Sequence, residues 1–463
     1  MRNFVVPAIA LLISVASAQG EDIKRYDSPI HFRPAEGRLA DTIPFFWKGE
    51  YHIFYLRAVD KVPWEHIVST DLIYWKELPT ALKSDGAEDG PDGLHMFTGS
   101  VTEHDGTFHI FYTGWNPKNK EGREKVMHAT SPDLITWTKH PEDGFYGDGV
   151  HYQNSDFRDP YVFWNDADKM FWMVLCARDA KSGKPVQGLA KSKDLLKWEQ
   201  SDPLVFDPPL GEGTPECPDL FKIGDTYYLI DSPSAGTTDM RFAKDIMGPY
   251  RIPQTQSIDT PILYAAKRMF DGKRHIITGW IRDLKDDRDG GEFQWGGDQS
   301  VPREVYAGPD GMLYFKPVPE AVAVFGKTFV KSPISAKQAQ SMEENFPDNY
   351  LLDCRVQLQP TADLTVQMRA QKDDPAAGYR LIVRPAMNEI ELSGKAFKYV
   401  RPATIDAGQP VKIQTFVQGS IIECFVNDAY AFSCRAYDFR KGTLRVTSSD
   451  MPKELDLTVR TSE

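Results

Sequence analysis

The chain has 463 residues and a formal net charge of −12. That length exceeds one ordinary core and predicts two or three domains. The acidic balance, with no basic run, argues against nucleic acid or an anionic membrane as partner. Aromatics at 12% and 33 prolines favour many short strands joined by tight turns. In chain order, Met1-Arg2 and the mostly apolar Val5 to Val15 lead to the small-x-small Ala16-Ser17-Ala18. Residues 1–18 therefore read as a secretory signal peptide, too short to span a bilayer, which places the mature chain outside the cell or in a periplasm with no membrane association after cleavage.

A repeat follows. Ser-x-Asp-Leu-x-x-Trp occurs at Ser69 to Trp75, Ser131 to Trp137 and Ser192 to Trp198, at nearly equal intervals. A hairpin signal precedes each copy, with turns at Lys48-Gly49-Glu50, Asp105-Gly106 and Asn165-Asp166. Two further hairpins, turning at Gly224-Asp225 and Asp271-Gly272, lack the motif. Five such units predict radial blades, which leave only short, protected strand edges. The fold expected is all-β: a five-bladed β-propeller over residues 24–320, a linker over 321–347 with a short helix near Ser335 to Glu344, and a C-terminal β-sandwich of about eight strands over 348–463.

Three acids stand at blade entrances: Asp41, Asp159 in Phe157-Arg158-Asp159-Pro160, and Glu216 in Glu216-Cys217-Pro218-Asp219. The prolines stiffen these segments, and propeller geometry aims all three into one funnel. Two carboxyl groups across a glycosidic bond are the minimum machinery of glycoside hydrolysis. Glu216, held rigidly near apolar groups, is expected to have the raised pKa of a general acid. Arg158 is expected to keep Asp159 ionised. Five cysteines, Cys176, Cys217, Cys354, Cys424 and Cys434, leave one unpaired; Cys424 and Cys434 bridge only if the hairpin register places them opposite. There is no CxxC and no HExxH, so no metal or other cofactor is expected.

The chain resembles glycoside hydrolase family 32, the invertase, inulinase and levanase group. The resemblance runs from His31-Phe32-Arg33-Pro34 through Gly49 to Tyr55, and continues in Phe97-Thr98-Gly99-Ser100, Phe157 to Pro160 and Glu216 to Asp219. It extends to Trp295-Gly296-Gly297, Val301 to Glu304, and Ser420 to Asp428. It implies a five-bladed propeller with a sandwich, a retaining mechanism and no metal. Asp41 would be the nucleophile, Glu216 the acid/base and Asp159 the transition-state stabiliser. Arg158, Phe97, Thr98, Trp64 and Trp295 would bind substrate.

The first motif departs from the family pattern: Arg38-Leu39-Ala40-Asp41-Thr42-Ile43-Pro44 stands where Trp-Met-Asn-Asp-Pro-Asn-Gly is usual, and Leu56 stands where a glutamine is usual. Two polar side chains are thus lost from sugar recognition. The expected partner is a carbohydrate, foremost a β-fructofuranoside of the sucrose, inulin or levan type. The alternatives are another furanoside such as an arabinofuranoside, a fructosyltransferase, or an inactive carbohydrate-binding protein.

Overall fold

The computed structural model describes residues 28–233, 236–284, 295–342, 346–374, 376–406 and 408–462. The signal peptide read over residues 1–18 lies outside them. Five mostly antiparallel blades, the first and last joined in one nine-stranded sheet, stand around an axis as a β-propeller, and a β-sandwich follows. Each blade starts with its innermost strand: Leu39–Trp47, His95–His104, Arg158–Asn165, Pro215–Ile223 and Leu263–Phe270. These strands touch in a closed ring, each against the next and the fifth against the first. Gly297–Gln299 pairs with Trp280 to Arg282 in the last blade and, through Gly297, with Leu39 in the first. The Lys48-Gly49 and Asp105-Gly106 turns have positive φ at both residues, as two-residue hairpins of the right twist require.

The repeated motif builds the same turn three times. In the second copy Ser131 donates to Asp133, and one carboxylate oxygen of Asp133 accepts the backbone N–H groups of Ile135 and Thr136 at 2.9 and 2.7 Å. Leu72, Leu134 and Leu195 sit at φ 68, 65 and 65, so the leucine caps a tight reversal. The tryptophan then reaches the neighbouring blade. Trp137 meets Phe54 of blade 1 edge to face at 5.8 Å, and Trp198 meets Phe111 of blade 2 at 5.3 Å. The motif recurs because it fastens one blade to the next.

The sandwich packs a seven-stranded sheet on a five-stranded one around a single apolar core. Two of its strands, Ile421–Val426 and Tyr430–Arg435, are buried along their whole length. Ile422, Cys424, Val426, Phe432 and Cys434 face the sandwich core. Ile421, Phe425 and Ala431 pack with Ile276 and Val305 of blade 5. One hairpin is therefore shared by both domains. The residues expected as a linker instead contribute strands Lys327–Val330 and Ile334–Ser335 to the larger sheet, and helix Ala336–Gln340 carries a Ser335 capping box. Cys424 pairs with Phe432 and Cys434 with Ile422, so the two cysteines are not opposed; all five cysteines are buried and free.

Candidate active site

Every inner strand carries an irregularity at the same place. The register slips at Ala40/Thr42, Phe97/Gly99, Glu216/Asp219 and Tyr264/Lys267, and opposite Val174/Cys176 in blade 3. A bulge bends its strand and re-aims one side chain. Asp41, Asp159, Cys217 and Ala265 take positive φ there, at 28°, 61°, 52° and 46°, each at a cost of roughly 1–2 kcal/mol for a non-glycine residue. The ring of bulges turns Asp41, Thr98, Asp159, Cys217 and Ala265 toward the axis.

The three acids meet there. The Cys217 N–H donates to Asp159 Oδ2 at 3.0 Å, and the Cys217 thiol lies 3.8 Å from Asp41 Oδ2 and 3.8 Å from Asp159 Oδ2. Cys217 is thus a buried spacer between two carboxylates. Trp280 Nε1 donates to Asp41 Oδ1 at 3.1 Å, and the Asp159 N–H is held by Thr113 Oγ1 at 2.8 Å. Glu216, one residue from the spacer, accepts on both oxygens: from Arg158 Nη2 at 2.9 Å and from the Tyr264 hydroxyl at 2.5 Å. Its side chain is 23% exposed. The apolar setting expected for Glu216 is absent; its partners are a guanidinium and a phenol.

Burial acts on the other two acids. Asp41 is pushed up to about 7, first by desolvation and then by the Asp159 charge, against the Trp280 hydrogen bond. Asp159 is pushed up to about 6 by desolvation, with Arg158 opposing and Glu216 assisting. Arg158 acts to keep Asp159 ionised, while loss of water works against it. Arg158 is also shared, donating to Asp156 at 2.7 Å and Thr214 at 3.0 Å.

Arg158 lies against Glu216, and Phe97 is half-buried and tilted against Trp115 at 5.7 Å. Trp64 and Thr98 are fully buried. Trp64 Nε1 donates to the Phe97 carbonyl at 3.0 Å, and the Thr98 carbonyl accepts from Thr113 Oγ1 at 3.3 Å. Trp295 is 44% exposed and meets Trp280 edge to face at 5.7 Å, which makes it a rim residue. Ala40 and Leu56 pair across the first hairpin, fully buried, so the two departures from the family pattern leave an apolar pair there. Sequence reasoning missed Tyr264, Lys267, Trp280 and Arg282 of blade 5. Aligning the fifth hairpin on the bulge positions of the others points to Tyr264 and Lys267, which flank Ala265-Ala266. The Arg282 guanidinium lies 3.8 Å from the Tyr264 ring centroid and makes no ion pair among the described residues.

Residues 31–317 match the family model described as "Glycosyl hydrolases family 32 N-terminal domain". An insoluble-isoenzyme β-fructofuranosidase of Arabidopsis thaliana is 28% identical over 335 residues, 62% of this chain; the match spans little more than half of that relative, 56%. A sucrose-6-phosphate hydrolase of Zymomonas mobilis is 26% identical across 95% of this chain and 94% of its own. Among solved structures, the sucrose-6-phosphate hydrolase of Lactobacillus gasseri superposes with a TM-score of 0.76 at 20% identity, covering 95% of this chain and 93% of that one.

Proposed function

The chain belongs to glycoside hydrolase family 32, and from that premise we propose that it is a secreted, retaining β-fructofuranosidase. The observation that carries this reading is the convergence of Asp41, Asp159 and Glu216 from blades 1, 3 and 4 around Cys217. Asp41 attacks the anomeric carbon while Glu216 gives its proton to the departing oxygen, leaving a glycosyl ester on Asp41. Water, losing a proton to Glu216, then attacks the same carbon and frees Asp41 with net retention. Asp159 accepts from sugar hydroxyls and stabilises the charge that develops on the ring.

Tyr264 supports both protonation states of Glu216. Its hydroxyl oxygen is 2.5 Å from Glu216 Oε2 and 3.2 Å from the Ser232 carbonyl. When Glu216 is ionised the phenol donates to it. When Glu216 is protonated the phenol donates to Ser232 and its oxygen accepts. One hydroxyl rotation thus follows each proton transfer without a stranded polar atom.

Ala40 and Leu56 remove two donors from the innermost sugar's shell, and a site that forgoes hydroxyl contacts discriminates less among sugars. Arg282 favours a second reading, a phosphorylated sucrose, because a guanidinium that makes no ion pair among the described residues, beside Tyr264, matches a phosphate on the leaving group. The test is a panel of sucrose, sucrose 6-phosphate, inulin, levan and aryl arabinofuranosides with product-anomer analysis, run on wild type, Asp41→Asn and Glu216→Gln. Release of fructose with retained configuration, lost by at least 10³-fold in both variants, is the expected result. A preference for sucrose 6-phosphate selects the second reading. An inverted anomer contradicts the mechanism, and binding without turnover by all three proteins makes the chain a lectin. N-terminal sequencing of the mature protein tests secretion, with cleavage after Ala18 expected.

A further inference from the structure

The steps above do not use Lys267, although it lies at the centre of the molecule. It rises from the inner strand of blade 5 and is 2% exposed. Its Nζ donates to the Gly99 carbonyl of blade 2 at 3.1 Å and to the Pro218 carbonyl of blade 4 at 3.2 Å. A side chain that reaches two other inner strands lies across the axis, so the ammonium sits in the floor of the funnel. It makes no direct ion pair among the described residues.

The charges facing it come from every inner strand but the second. Blade 1 presents Asp41. Blade 3 presents Asp159, Arg158 and the Tyr161 ring, whose centroid is 5.6 Å from Nζ. Blade 4 presents Glu216, Cys217 and Asp219. Blade 5 itself adds Tyr264, Arg268 and Arg282. The other cations are engaged elsewhere. Arg158 is committed to Glu216 and Asp156, Arg268 to Asp219 and the Tyr161 hydroxyl, and Arg282 to the ring face of Tyr264. Arg158 acts on Asp159 and Arg282 on Asp41, while the field of Lys267 bears on both acids, favouring their ionised forms against burial. A buried ammonium bonded only to carbonyls is expensive to keep; two buried carboxylates in one dry funnel are a reason to keep it.

We propose that Lys267 is a positioning residue of the reaction: pinned on the axis by two carbonyls, its ammonium is the counter-charge that lets Asp41 and Asp159 be carboxylates together, and so keeps Asp41 nucleophilic. Its activity readout rests on the fructosidase reading above. The experiment compares Lys267→Gln with Lys267→Arg in the full chain. Glutamine keeps N–H donors for the carbonyls and removes the charge; arginine keeps the charge. The acid limb of kcat/KM is expected to rise by about one pH unit in Lys267→Gln, a roughly tenfold loss below the limb, and to stay in place in Lys267→Arg. A limb unmoved in Lys267→Gln, or moved equally in both variants, overturns the proposal and leaves Lys267 a tie between blades. A second readout needs no substrate. At pH 8, Asp159→Asn should raise the melting temperature more in the Lys267→Gln background than in wild type, because the carboxylate pair is uncompensated there; an equal rise in both backgrounds also overturns it. Wild-type inactivity on every furanoside would sink the functional reading alone, and the melting temperatures would still decide the charge pairing.

Discussion

Asp41 combines a positive φ, near-complete burial and two acidic neighbours, so its ionisation is opposed by the fold that positions it. Its folded pKa, about 7, lies above the ordinary carboxyl value of 3.8. Between those values the folded chain binds more protons than the unfolded one, and stability falls as pH rises through the window. Asp41→Asn removes this penalty while its amide oxygen still accepts from Trp280. The variant should be more stable than wild type at pH 8, by roughly 2–4 kcal/mol, and close to wild type at pH 4, at the foot of the window. Urea titrations at the two pH values check this. The acids themselves were legible in sequence because each stands in a short stiff motif. The groups that tune them were not: Tyr264, Lys267, Trp280 and Arg282 act across blades, and no local pattern marks a contact made through the axis. The opposing effect of burial on Asp159 was hidden for the same reason, since a neighbouring arginine is visible in sequence and loss of water is not.

At the scale of the element, the repeated turn was visible as Ser-x-Asp-Leu-x-x-Trp, while its use was not. The aspartate holds the turn closed and the tryptophan leaves it for the adjacent blade. Trp198→Ala should therefore loosen the contact between blades 2 and 3, at about 2 kcal/mol for a partly buried aromatic, with the turn at Asp194 kept by its backbone hydrogen bonds. Equilibrium denaturation measures the first, and amide exchange at Leu196 and Lys197 the second. In the sandwich about eight strands were expected over 348–463, and ten are present among the described residues. Strands Lys398–Pro402 and Glu454–Thr461 were missed. The first is mostly exposed, and the second alternates with charged residues in a segment that reads as a polar tail.

Across the whole molecule the two domains are joined by buried charge as well as by the shared hairpin. Arg303 of blade 5 is fully buried between Asp259, at 2.5 Å, and Glu423 of the sandwich, which also meets His31 at 2.8 Å. Arg435 reaches back to Asp283 and Asp298 at 2.9 and 2.7 Å. Removing one partner of such a network strands the others. Arg303→Leu should cost about 3–5 kcal/mol, and both domains should unfold in one transition; two separate transitions in wild type would contradict this. The interface between the domains was not legible in sequence, because its charges are spread from His31 to Arg435. The account as a whole turns on which side chain attacks the sugar. Its most direct measurement is intact-protein and peptide mass analysis of Glu216→Gln after reaction with an aryl fructofuranoside, whose good leaving group needs no acid. The account predicts one fructosyl unit esterified to Asp41. No adduct, or an adduct on any other residue, would contradict it.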